Sequence, residues 1–441
     1  MRPGCGGKPA VNENRMNKEL SAFAARLREA MDGRGAMLRR PDGVARCPCQ
    51  EFDSLALKLF ALQFKCNPAY RKICEAQRRT PDDIEHWTRI PAVPTAAFKE
   101  LELSGIPPEE RTAVFHSSGT TGQKPSRHFH CPASLELYEV SLWGWFLDNV
   151  VPDLRSTIYD LRAPAQSAMG NRQSAIFLAP PPEQAPHSSL VHMFETVRRR
   201  LGFPESAFVG SVLNSGARLY EPQHILMQSE PLRVADPRSE NRSGHYPFVG
   251  KLDAAGAWTL DFDAAVALLN SSLDTRHPSL LLGTAFSFLE LVDYLAEKHL
   301  QFALPPGSRV METGGYKNRS RSLPKTELHA LITKRLGVPP ENILCEYGMS
   351  ELSSQAYAMG AAAPRGHFRF PPWARARVIS PETGREVAEG ETGLLQVFDL
   401  ANVFSVMAIQ TEDLGVRRGD GFELIGRARL AEPRGCSLMT A

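Results

Sequence analysis

The chain has 441 residues, a net charge of +2 from 51 Lys and Arg against 49 Asp and Glu, and 23% charged residues. That length buries a large core and suggests about three domain-sized units, while so even a balance excludes the clustered positive excess that nucleic-acid binding needs. No apolar run approaches the roughly 18–20 residues of a membrane span, and polar Asn12-Glu13-Asn14 stand where an export signal needs its apolar stretch. The eight cysteines are scattered without paired C-x-x-C units, which predicts reduced thiols rather than disulfides or a zinc cage. A cytoplasmic location is expected.

Residues 1–48 are rich in Gly, Arg, Pro and Asn, with one helical patch near 20–31, and are expected to form a loosely ordered extension. Phe52, Leu55, Leu59 and Leu62 then recur at helical spacing. Thr80-Pro81-Asp82-Asp83 has the form of a helix start: a capping hydroxyl, a first-turn proline and acids that favour the dipole. Ile90-Pro91-Ala92-Val93-Pro94 predicts an extended connector, because each proline biases its predecessor away from helix.

Next comes Ser117-Ser118-Gly119-Thr120-Thr121-Gly122-Gln123-Lys124-Pro125-Ser126. Its glycines allow close approach of the backbone to a ligand, and its hydroxyls and successive N–H groups make a concave anion site. The spacing is not that of the G-x-x-x-x-G-K-[ST] loop. Taken alone, the run is also compatible with an ordinary surface turn.

A helix is predicted over 133–150 and an apolar strand over 175–179. Strand-then-helix pairs follow at 279–282 with 286–297 and at 309–312 with 325–336, then a buried strand at 343–347. From 375 the pattern changes to short alternating strands at 377–379, 394–398, 404–409 and 422–425. An α/β body followed by a β-rich segment is the expected architecture.

Three further segments carry chemistry. Met311-Glu312-Thr313-Gly314-Gly315 ends a strand in two glycines, where α/β sheets admit ligands. Cys345-Glu346-Tyr347-Gly348-Met349-Ser350-Glu351 offers an aromatic ring, a hydroxyl and a single carboxylate, enough protein for Mg²⁺ when phosphate oxygens supply the rest. Thr411-Glu412-Asp413-Leu414-Gly415, with Gly426-Arg427 beyond the turn signal Asp420-Gly421, presents a carboxylate suited to vicinal hydroxyls and a charged fork. The apolar stretch Leu282–Phe288 suits an acyl tunnel and core packing equally.

In this order the four segments resemble the adenylate-forming superfamily of acyl-CoA synthetases, luciferases and peptide-synthetase adenylation domains. Tyr347-Gly348-Met349-Ser350-Glu351 is similar to its Y-G-x-[ST]-E segment, and Thr411–Gly415 to its T-G-D stretch with Glu412 in place of Gly. The resemblance implies ATP and Mg²⁺ as cofactors. It places Ser117, Ser118, Gly119, Thr120, Thr121 and Gly122 around the phosphates and Ser350 at the α-phosphate. Glu351 would hold magnesium, Tyr347, Gly314 and Gly315 would lie in the nucleotide site, and Asp413 with Arg427 would hold the ribose. Closer similarity is to the LuxE-type fatty acyl-protein synthetases, carried by Ile90–Pro94 with Phe98-Lys99, Ser126-Arg127-His128, Ser188-Ser189-Leu190 with Met193, and Arg434-Gly435-Cys436-Ser437-Leu438.

That family activates a fatty acid as acyl-AMP, moves the acyl group to its own cysteine and delivers it to a partner reductase. The resemblance therefore implies a catalytic role for Cys436, Ser350 and Glu351, and it expects a fatty-acid substrate and an acyl reductase partner. Cys436 lies nine residues beyond Arg427, a span of about 30 Å when extended, and Arg434 favours its thiolate. Two other readings stay open: a ligase that forms coenzyme A or carrier-protein thioesters, and a non-catalytic nucleotide-binding subunit of a reductase complex. His128 either borders the acyl pocket or makes a positioning hydrogen bond, and Lys124 is one position away from the usual loop lysine.

The fold expected is the large N-terminal α/β domain of an adenylate-forming enzyme, with sheets flanked by helices plus a β-rich subdomain, at residues 49–427. A mobile tail at 428–441 carries Cys436. The superfamily's small C-terminal lid domain with its catalytic lysine is expected to be lacking, since 14 residues follow Arg427.

Overall fold

The computed structural model describes residues 10–31, 38–39, 45–46, 48–117, 124–152, 174–201, 248–252, 258–314, 323–359 and 366–428. The helix α1 (Ala10–Met31) contains the helical patch expected near 20–31 and begins ten residues before it. Leu20, Phe23, Ala24, Leu27 and Met31 recur at helical spacing, and all five are buried. They join a core with α2 (Pro48–Cys66), whose Phe52, Ala56, Leu59 and Phe60 face the same way, and α3 (Pro68–Ala76). Thr80-Pro81-Asp82-Asp83 starts only one 3₁₀ turn, Pro81–Asp83, with the Thr80 N–H and hydroxyl both donating to Asp83.

A short antiparallel hairpin, β1 (Ala113–His116) and β2 (Arg127–His130), then brackets the Ser/Thr/Gly run. Helix α4 (Pro132–Asn149) follows within one residue of the expected bounds. The main sheet is built from β3 (Ser174–Leu178), β4 (Ser279–Thr284), β5 (Arg309–Thr313) and β6 (Ile343–Tyr347), all parallel, with β7 (Ala356–Met359) antiparallel at the edge beside β6. Its strands read as near-continuous apolar runs because both faces are covered. Ile176, Leu178, Leu281, Val310 and Ile343 pack beneath α6 (Phe262–Thr275), α7 (Ala285–Glu297) and α8 (Lys325–Leu336). The alternate residues Ala175, Phe177, Leu280, Leu282 and Met311 meet α4 and α5 (Ser189–Arg200) on the other face. Within the run 282–288, Leu282, Ala285 and Phe288 are thus committed to core packing.

The β-rich segment is an antiparallel sheet of β8 (Ala374–Ile379), β9 (Thr392–Asp399), β10 (Ala408–Arg418) and β11 (Gly421–Arg427) in chain order. The expected strand at 404–409 begins instead at Ala408 and runs on to Arg418. Phe404 through Met407 form an irregular stretch held against α2, which is why their apolarity imitates a strand. The connector Val93–Pro94 pairs parallel with β10 through Ile409 and Gln410.

The irregular segments at 350–354 and 399–407 are joined by buried polar side chains. Asp399 is fully buried and accepts from the Ser353 and Ser354 N–H groups at 2.9 and 2.8 Å, the Ser354 hydroxyl at 2.7 Å and the Ala401 N–H at 2.9 Å. Asn402 donates to the Glu351 carbonyl at 2.7 Å and accepts from the Ser353 hydroxyl at 2.6 Å. Gln63 of α2 donates to the Asn402 carbonyl at 2.7 Å and accepts from the Met407 N–H at 3.1 Å. Replacing Asp399 by Asn turns one acceptor into a donor that faces other donors. Asp399→Asn is expected to destabilise the chain by roughly 2–4 kcal/mol; an unchanged midpoint in urea would refute this account of the segment.

Candidate active site

The site forms at the carboxyl ends of β5 and β6, where a parallel sheet opens to ligands. Gly314 follows β5 with φ of 67°, a left-handed conformation that an L side chain strains to adopt. At the end of β6, Tyr347 is enclosed by Phe368, Phe370 and Phe422, with ring centroids 6.0, 6.2 and 5.3 Å away. Burial pushes its phenol far above the usual range, so it is a donor, and its hydroxyl gives a 2.8 Å hydrogen bond to Asp413 Oδ2. Gly348 beside it leaves room for the Glu346 carboxylate: a Cβ there would lie 2.5 Å from Glu346 Oε1, so that side chain would have to shift.

Asp413 sits on β10 opposite Arg427 of β11. Arg427 Nε is 3.9 Å from Asp413 Oδ1, and the guanidinium side chain is 79% exposed. Burial raises the Asp413 carboxyl, while Tyr347 and Arg427 oppose the rise. The result is a carboxylate with one oxygen fixed by a phenol and the other turned toward an open cation.

Three residues further along from Gly348, Glu351 is buried, and its Oε1 accepts a 2.5 Å hydrogen bond from the Ser126 hydroxyl. Desolvation pushes its carboxyl upward; the Ser126 bond, Arg427 and Lys99 all act in the opposite direction. Next to it, the Ser350 carbonyl accepts from His128 Nδ1 at 2.6 Å, which sets the imidazole tautomer with the proton on Nδ1. His128 thus makes the hydrogen bond expected of it as one of two alternatives. Ser126 N–H donates to Ser117 Oγ at 3.0 Å, closing the base of the Ser/Thr/Gly run directly beside Glu351.

Of the residues expected from sequence, Ser117, Ser350 and Glu351 therefore gather on one side, and Tyr347, Asp413 and Arg427 on the other. The five residues from Tyr347 to Glu351 connect the two groups. Ser118, Gly119, Thr120, Thr121, Gly122, Gly315 and Cys436 lie outside the described residues. Lys124 points away, 3.5 Å from Glu100 on the surface. Sequence reasoning did not assign Ser126 its bond to Glu351, nor Asn402 its grip on the Glu351 backbone. Ser126 stood within a quoted motif, whereas nothing local to Asn402 marks its role.

Comparison with known proteins places the architecture. Two structures of 2-hydroxyisobutyryl-CoA ligase, one open with 2-HIB-AMP and CoA and one in the postadenylation state with 2-HIB-AMP, align with TM-scores of 0.51 over 96% of this chain. They cover 74% and 72% of the ligase chains at 12% and 13% identity, so the shared feature is the fold: that of the adenylate-forming ligases. Residues 248–441 match the family described as Acyl-protein synthetase, LuxE, so the expected LuxE-type similarity is shown across the part of the chain that carries Gly314, Tyr347, Ser350, Glu351, Asp413, Arg427 and Cys436. The long-chain-fatty-acid–luciferin-component ligase of Aliivibrio fischeri is 26% identical over 193 residues, 41% of this chain and 50% of the relative. The Vibrio harveyi protein of the same name is 24% identical over 188 residues, 41% of this chain and 49% of the relative. The chain therefore aligns with about half the length of these curated relatives. Among the described residues, no helix is long and apolar enough to cross a membrane.

The buried histidine gives a pH test. Desolvation lowers His128 from 6.5 to about 4, against a small opposing effect of its bond to Ser350; His130, with its ring 4.6 Å away, is lowered by burial and by His128 itself. Its folded pKa lies below the unfolded value, so the unfolded chain binds the extra proton. The contribution of His128, about 3 kcal/mol, is present above pH 6.5 and lost as pH falls toward 4. His128→Asn, which keeps a donor near the Ser350 carbonyl, should flatten the pH dependence of unfolding by about one proton in that window. A slope equal to that of the unaltered chain would show that His128 is not the buried neutral group described.

Proposed function

We propose that this protein activates a carboxylic acid, a long-chain fatty acid by preference, with ATP, and then carries the acyl group on Cys436. The observation that supports the reading is the convergence of two polar groups on the segment 347–351, one beneath the Ser/Thr/Gly run and one around Asp413. The LuxE match and the names of the curated relatives support the substrate class.

In this reading the run Ser117–Gly122 and Ser350 hold the phosphates, and Asp413 with Arg427 binds the ribose hydroxyls beside Gly314 and Gly315. Tyr347 fixes the orientation of Asp413. Glu351 would hold Mg²⁺: it is a hard oxygen donor already at the base of the phosphate run, as that ion requires. When bound, the ion offsets charge on the triphosphate. The substrate carboxylate oxygen attacks the α-phosphorus, the bond from that phosphorus to the bridging oxygen breaks, and pyrophosphate leaves. The Cys436 thiolate then attacks the acyl carbonyl, and AMP departs with the electron pair of the C–O bond. Arg434 favours the thiolate. A partner acyl reductase would receive the thioester.

Acid-dependent exchange of labelled pyrophosphate into ATP tests the first step. Exchange should rise with fatty acids, and Glu351→Gln should lower it by about 10²-fold or more, the scale of one transition-state contact. Absence of exchange with any acid would leave a nucleotide-binding subunit instead. Labelled fatty acid with Mg-ATP should give hydroxylamine-sensitive protein label that Cys436→Ser abolishes while exchange persists. Acyl-CoA formation without protein label would transfer the acceptor role to coenzyme A, the molecule bound in one aligned ligase structure.

A further inference from the structure

On the face of the main sheet turned toward α8 lies a group of side chains that the adenylation chemistry does not use. Glu312 and Cys345 are register partners on β5 and β6, so they stand side by side. Lys325 and His329 are four residues apart on α8 and point at them from one helix face. Cys345 Sγ is 3.9 Å from His329 Nε2, and the sulfur, the imidazole nitrogen and a Glu312 oxygen all lie within 4.8 Å of one another. It is the only such trio of His, Cys, Asp or Glu ligand atoms among the described residues.

Glu312 is 1% exposed, and the groups that meet its carboxylate are the Lys325 ammonium and the Cys345 thiol. A buried carboxylate in that state needs a cation. The one at hand is the Lys325 ammonium, with Nζ 3.2 Å from Glu312 Oε1, on a side chain that is 40% exposed and so has a way out to solvent. The remaining donors are a thiol and an imidazole, ligands that magnesium and calcium disfavour and zinc-class ions select. Bonds of about 2.0–2.3 Å to a tetrahedral ion set its ligand atoms about 3.3–3.8 Å apart. The trio therefore has to contract by about 1 Å at its widest.

We propose that Cys345, His329 and Glu312 bind one zinc-class divalent ion in competition with the Lys325 ammonium. Binding replaces the thiol proton, which leaves to solvent, with a metal–sulfur bond, and Lys325 swings outward. The ion ties α8 to β5 and β6 one residue before Thr313 and Glu346, whose hydroxyl and carboxylate are hydrogen-bonded to each other on the opposite face. The site thus braces the strand ends that carry Gly314 and Tyr347 without taking part in the reaction.

Cobalt(II) titration of the full chain tests this, in a background with Cys5, Cys47, Cys49 and Cys436 changed to Ser. One equivalent should give a thiolate-to-cobalt charge-transfer band in the near ultraviolet and intense visible bands of four-coordinate cobalt, both removed by excess zinc. Cys345→Ser should abolish the charge-transfer band. Lys325→Met keeps all three ligands and removes the competing ammonium, so it should tighten cobalt binding by about tenfold or more. Absence of the bands, their persistence in Cys345→Ser, or unchanged affinity in Lys325→Met would each overturn the proposal. If Cys345→Ser loses its far-ultraviolet helix signal, the Lys325→Met comparison decides alone.

Discussion

The fully buried carboxylate of Asp399 is the constraint on which the site's geometry rests. An irregular segment such as 350–354 cannot run through a protein interior unless its backbone N–H and C=O groups find partners. Asp399 supplies two acceptors to its N–H groups and Asn402 a donor to its Glu351 carbonyl. Burial pushes the Asp399 carboxyl up, and the four bonds it accepts act against that rise. Because Gln63 grips the other side of the same turn from α2, the N-terminal helices are tied to the turn that holds residues 351–354. Ser350 and Glu351 are therefore fixed without belonging to any strand or helix.

Beyond that anchor, the parallel sheet separates two kinds of chemistry by the alternation of its side chains. Thr313 and Glu346 face α4, and Glu312 and Cys345 face α8, although each pair is adjacent in sequence to the other. Each strand end thus turns successive residues to opposite faces of the sheet. This makes β5 and β6 a rigid support, and it concentrates the adaptable geometry in the residues just past them, at Gly314 and Gly348.

Much of this was readable from local patterns. Helix α8 and strand β6 fall on their expected bounds because Pro324 and Gly337 punctuate the helix and the strand is an unbroken buried run. The clustering of Tyr347, Asp413 and Arg427 followed from motif order, since the two strands that carry the latter pair form one hairpin. The helical patch near 20–31 was legible from its five spaced apolar residues, whereas the polar turns from Ala10 that extend α1 have no apolar stripe to mark them. Phe404–Met407 imitated a strand because a buried irregular segment is as apolar as a buried strand. Asp399, Asn402 and Gln63 were not legible at all: Gln63 is more than 300 residues from the carbonyls it holds, and none of the three has a periodic or motif signature.

The bond between Ser126 and Glu351 links these observations to the proposed chemistry. A carboxylate buried this fully is costly unless something offsets its charge, and the Ser126 hydroxyl offsets only part of it. Arg427 and Lys99 act on it from farther away. The hydroxyl belongs to the closing residue of the Ser/Thr/Gly run, whose opening residue Ser117 accepts the Ser126 N–H. A cation arriving with a triphosphate would complete the compensation of Glu351 and, in the same movement, compete with Ser126 for its oxygen. Release of Ser126 would then alter the base of the run proposed to hold the phosphates. Nucleotide grip and metal grip are in this reading one coupled event, and His128, held to the Ser350 carbonyl, is the fixed point against which that exchange takes place.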